Sequence, residues 1–143
     1  MRNLAVLRST IMMTSASACT AHQPMDQSTV GFLCAVDSTK MIKPNMDSEA
    51  VCALFKTKID DVLKRKTVAI EDGPNALPAD WIKVEVRFSM PGTTSATVVQ
   101  SADGKETTHP EIAVDVMDKA LEPSDIGTLA SAVAKYLGEN AIR

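Results

Sequence analysis

The chain has 143 residues, a net charge of −3, 45% hydrophobic and 23% charged residues, and only one Trp, one Tyr and three Phe. That length fits a single domain. So few aromatic faces, on an acidic chain, give no stacking platform and no electrostatic pull toward nucleic acid or an anionic membrane face. No run of 18 or more apolar residues exists that would cross a membrane as a helix.

Residues 1–18 read as a signal peptide. Arg2 and Arg8 supply the positive charge, a short apolar stretch follows, and Ala16-Ser17-Ala18 forms the small-residue pattern that a signal peptidase accepts. Cys19 comes next. Ser17, Ala18 and Cys19 resemble the lipobox of bacterial lipoprotein precursors; Ala16 stands where that family prefers a larger aliphatic. The resemblance covers about the first 20 residues and implies that Cys19 is lipidated and becomes the new amino terminus. Two acyl chains on one cysteine would hold the protein stably on the membrane of a bacterial cell envelope, facing the periplasm. Soluble secretion, with residence in the periplasm, and an unexported cytoplasmic chain are the alternatives.

The remaining cysteines are Cys34 and Cys52. With Cys19 lipidated they form an even pair, which an oxidising compartment would let bond. Two unrelated buried thiols are the competing reading.

Residues 19–29 are polar, contain Pro24 and read as a flexible tether. Residues 30–143 read as one α+β domain. "VGFLCAV" (30–36) is a strand or a buried extended segment that places Cys34 at the domain edge. A loop with Pro44 follows. A helix starts near Asp47 or Ser48, with Val51, Cys52, Phe55, Ile59, Val62 and Leu63 on one face and Lys64, Arg65 and Lys66 at its end. Asp60-Asp61 falls on the polar side and reads as a solvated pair. "TVAIE" (67–71) is a candidate short strand.

The clearest alternation is "WIKVEVRFSM". Ile82, Val84, Val86, Phe88 and Met90 fall on one side, Trp81, Lys83, Glu85, Arg87 and Ser89 on the other, as in a half-buried strand with one wet face. Pro91-Gly92 turns the chain into "TSATVVQS", and Asp103-Gly104 is a type I′ hairpin dipeptide. His109-Pro110 breaks or bulges the returning strand, and "EIAVDVM" resumes the alternation. A second helix follows Pro123, capped by Ser124 or Asp125, with Ile126, Leu129, Ala130, Val133 and Leu137 as its stripe and Gly138 as its stop. The expected architecture is a three-stranded antiparallel meander with two helices packed on one face, in the order α-β-β-β-α.

No nucleophile elbow, phosphate loop, zinc spacing or dinucleotide fingerprint occurs. His109 is the only histidine of the folded body; Asp103 or Glu111 approaching it would make a site for an enzyme or an enzyme's accessory subunit. His22-x-x-Met25 and Met41 with Met46 are the thinly spaced thioether candidates for Cu(I), and Met90 and Met117 read as core filling. Neither set makes a dense cluster, so no cofactor or metal is expected. Trp81 with Lys83, Glu85 and Arg87 reads as a possible interaction surface, or as a face covered by the amino-terminal segment. The resulting expectation is a non-catalytic binding or scaffolding lipoprotein, its partner another envelope protein.

Overall fold

Asp47 starts the first helix as the sequence requires. Its backbone is extended and its carboxylate accepts the Ala50 N–H at 2.7 Å, which satisfies one of the free donors of the first turn. The computed structural model describes residues 29–70, 77–89, 92–117 and 119–140. In chain order these form β1 (Val30–Val36), α1 (Ser48–Leu63), β2 (Thr67–Ala69), β3 (Trp81–Phe88), β4 (Thr93–Ala102), β5 (Lys105–Thr108), β6 (Ile112–Asp115) and α2 (Pro123–Asn140). The segment read as a signal peptide, Cys19, His22, Met25 and Met90-Pro91 lie outside the described residues.

Helix α1 buries Val51, Phe55 and Ile59, one residue per turn. Val62, expected on that face, is 39% exposed. The helix closes on Lys64, whose φ of 52° lets its N–H return to the Asp60 carbonyl at 3.1 Å. Lys64, Arg65 and Lys66 therefore follow the last turn instead of forming it.

The expected meander over 81–117 is present. β3 and β4 pair antiparallel from Trp81↔Ser101 to Phe88↔Thr94. Asp103 and Gly104 both take positive φ, 53° and 77°, as a type I′ turn demands. β5 pairs with the last residues of β4 and β6 with its first. Together they form one returning strand broken at His109-Pro110-Glu111, where the His109 N–H still reaches the Val98 carbonyl at 2.9 Å.

The sheet is larger than the expected three strands. Its order is β2-β1-β3-β4-β5, with β6 also on β4. β1 lies parallel to β3, and β2 lies parallel to β1, reached through the α1 crossover. Cys34 is thus on an interior strand and not at the domain edge. The element order is β-α-β-β-β-β-β-α, since "VGFLCAV" is apolar on both faces and β2 has only three residues. Neither offers an alternation to read.

Both helices pack on the same sheet face. The core joins Val51, Phe55, Ile59, Ile126, Leu129, Val133 and Leu137 from the helices to Phe32, Ile82, Val84, Val86 and Val98 from the strands. Ile42 and Leu121, both buried, form a parallel bridge between the segments that lead into the two helices.

Two details of α2 differ from expectation. Pro123 is its first residue, and the Asp125 carboxylate accepts the Glu122 N–H at 2.8 Å. Asp125 thus closes the first turn from inside the helix, as the acidic residue of a capping box does. Gly138 does not stop the helix, which continues to Asn140; a Cβ there would run into the Val62 side chain of α1. The glycine is a close-approach position between helices. Gly31 in β1 is another, because a Cβ there would meet Ile70 and Pro78.

Candidate functional site

Alternation along β3 sends Ile82, Val84 and Val86 into the core and Trp81, Lys83, Glu85 and Arg87 to the opposite face. All four residues singled out in the sequence therefore share the outer surface of the sheet. Glu85 sits between the two cations, with Lys83 Nζ at 3.0 Å from one carboxylate oxygen and Arg87 at 3.7 Å from the other. Exposed pairs of this kind add little to stability, so the row is better understood as a patterned surface. Ser101, Val99, Thr97 and Ser95 lie beside it on β4, and Gly31, Leu33 and Ala35 on β1. Trp81 is half-buried at one end. Val68, in register with Gly31 and 45% exposed, continues the apolar end of this face.

Cys34 and Cys52 are brought together between β1 and α1. Their Cα atoms are 5.7 Å apart and the sulfurs are at bonding distance, within the range a disulfide accepts. The pair expected from counting cysteines is the pair the fold assembles.

His109 is buried at 7% exposure. Its Nε2 lies 3.1 Å from Gln100 Oε1, and its ring meets Tyr136 edge-on at 5.4 Å. Asp103 and Glu111 are both exposed, and the Asp103 N–H bonds Asp80. The imidazole thus joins β4 to α2 instead of facing the two acids. Burial pushes its pKa below the ordinary 6.5. The unfolded chain then binds this proton more readily than the folded one. Stability is therefore complete above about pH 6.5 and declines as pH falls below it. Urea titrations at neutral and mildly acidic pH are expected to show that decline, and His109→Gln is expected to flatten it.

Asp60 is not a solvated carboxylate. It accepts from Thr67 Oγ1 at 2.6 Å, Thr67 N–H at 2.9 Å and Lys56 Nζ at 2.9 Å, clasping the end of α1 to the start of β2. Burial alone would raise its pKa; the bonds from Thr67 and Lys56, with the lysine charge, outweigh burial and hold it below the ordinary 3.8. Its stabilisation is present above that value and lost as pH drops through the depressed one. Asp60→Ala is expected to cost about 1–3 kcal/mol at neutral pH. The gap from the parent should close in strong acid, which denaturation curves across that range check. Asp61 is exposed, as expected of the pair's other member.

Met41 and Met46 are half-buried, and Met46 packs on the core. Met117, read as core filling, is 75% exposed, because it follows the last paired residue of β6. Among the described residues no group of three His, Cys, Asp or Glu side chains could hold a metal ion, and no helix is long and apolar enough to cross a membrane.

A cavity missed in the sequence lies at the foot of the sheet. Val30, Ile82, Gln100 and Ala102 line it from the strands, Leu63 and Gly138 from the helix ends. Only the tertiary arrangement joins these positions.

No family model matches the chain. No curated protein matches it. A solved structure described as the crystal structure of an uncharacterized protein is similar to it at a TM-score of 0.41 and 9% identity, covering 78% of this chain and 87% of its own.

Proposed function

We propose that this is a small lipoprotein of the bacterial cell envelope, anchored through Cys19, whose α+β domain binds another envelope protein and catalyses nothing. The observation that carries the binding half is the outer sheet face, where Trp81, Lys83, Glu85 and Arg87 stand in one row opposite the helix layer. A half-buried aromatic beside alternating charges is the composition of an interface anchor with a polar rim. Support for export comes from the cysteines: once Cys19 is set aside, the other two meet in disulfide geometry, which persists in an oxidising compartment. The His109 surroundings favour a packing role over catalysis, since the ring is engaged by Gln100 and Tyr136.

Two measurements on native cells test the two halves. Intact mass of the membrane fraction is expected to show a chain beginning at Cys19 with added acyl mass, gaining two hydrogens on reduction. A full-length, unmodified mass in the soluble fraction removes the anchor. A photo-crosslinking residue in place of Lys83 is expected to give a discrete protein adduct that the same residue at Lys135, exposed on α2, does not give. Equal labelling at both positions removes the binding surface.

A further inference from the structure

At the end of the sheet where β1 and β3 begin and β4 finishes, both helices also finish. They leave a cavity of about 310 Å³, at the lower end of the size range of small-molecule sites. Gln100 distinguishes it from a packing gap. This residue lines the cavity and is only 8% exposed. Its Oε1 is occupied by His109 Nε2 at 3.1 Å, so the imidazole donates and the amide nitrogen is the end left for another partner. That nitrogen has no hydrogen-bond partner among the described residues. It is not sealed from solvent, and the residue that carries it lines the cavity. A donor on an otherwise buried side chain at a cavity wall is a recognition element, because a ligand acceptor can take the place of the water that reaches it.

The rest of the lining narrows the ligand chemistry. Val30, Leu63 and Ile82 supply apolar wall. Arg65 and Asp80 contribute one charge of each sign to the lining. Asp80 Oδ1 accepts the Asp103 N–H at 3.1 Å, which leaves Oδ2 as an acceptor. By strand alternation Trp81 and Ser101 belong to the outer face and lend this cavity backbone.

We propose that the cavity binds a small uncharged organic molecule with a carboxamide head on a short apolar body. The carbonyl accepts from Gln100 Nε2, the ligand N–H donates to Asp80, and the body rests on Val30, Leu63 and Ile82. This site is separate from the outer-face surface and does not depend on it.

The test is a titration of the full chain with isovaleramide, read from the fluorescence of Trp81, the single Trp, and from the side-chain amide resonances of Gln100. Both are expected to shift saturably, with a Kd below about 1 mM, which suits so few heavy atoms. Isovalerate, the same shape with a charge to desolvate, is expected to bind at least about tenfold more weakly. Gln100→Leu should lose at least about tenfold. Ala102→Leu, which narrows the cavity without touching Gln100, should lose a similar factor. A Gln100 amide response that stays linear up to about 20 mM isovaleramide overturns the proposal. So does isovalerate binding as tightly as the amide, or unchanged affinity in the Ala102→Leu protein.

Discussion

Phe55→Ala is expected to destabilise the domain by about 3–5 kcal/mol. Phe55 is fully buried in the middle of the α1 stripe, a turn from Val51 on one side and from Ile59 on the other. Large-to-small changes cost most where the surroundings cannot close on the void, and α1 is poorly placed to move. Three residues before Phe55, Cys52 is tied to β1. Five residues after it, Asp60 is clasped to Thr67 of β2. A helix fixed to the sheet at both ends keeps its distance, so the cavity stays open and the cost sits toward the upper end. Phe55→Leu keeps most of the volume and is expected to cost under about 1.5 kcal/mol. Urea denaturation at neutral pH, followed by helical circular dichroism, reads both values. A loss below about 1 kcal/mol for the alanine variant would show that the helix collapses onto the sheet, against the two-ended attachment. Since small domains hold only about 5–15 kcal/mol in total, this one substitution takes a large share.

Parts of the fold were legible in the sequence because a local rule specified them. "WIKVEVRF" alternates because one face of β3 is core and the other is wet, so the parity of Trp81, Lys83, Glu85 and Arg87 followed directly. Asp103-Gly104 was readable because two positive φ values in succession exclude most residues. The break at His109-Pro110 was readable because proline has no N–H for the ladder. β1 was ambiguous for the opposite reason. An interior strand with parallel neighbours is apolar on both faces, and nothing in "VGFLCAV" marks which strands will flank it. The cavity was out of reach because Gln100 is one polar residue in a strand-like run. Its significance comes from standing opposite Ile82 in register and from His109 nine residues later holding its oxygen. Asp60 was misread as solvated because its partner Thr67 arrives only after the chain has turned back through Lys64. Gly138 was misread as a stop because glycine has two uses at a helix end, and only the position of Val62 distinguishes close packing from termination.

Reducing the Cys34–Cys52 pair is expected to cost about 3 kcal/mol and to lower the melting temperature on the order of 10–20 °C. The two residues are 18 apart in sequence, and closing a loop of that size removes this much freedom from the unfolded chain in the entropy model. The loop contains the whole connection from β1 to the second turn of α1, so the crosslink restricts the crossover that sets β1 between β2 and β3. Thermal melts with and without reductant measure the effect. The Cys34→Ala/Cys52→Ala protein is expected to melt near the reduced parent and to ignore reductant. An unchanged midpoint on reduction of the parent would mean that the loop is already ordered without the bond. The prediction also joins stability to location. Produced without residues 1–18 in a reducing cytoplasm, the chain should carry three alkylatable thiols, Cys19 and the unbonded pair Cys34 and Cys52, and a lowered melting point, and oxidation of that pair should raise the point to the value of the exported form. Should the cytoplasmic product already match the exported one in melting point while both thiols of the pair remain free, the stability argument for export would fail, and the lipidation of Cys19 would have to stand on its mass alone.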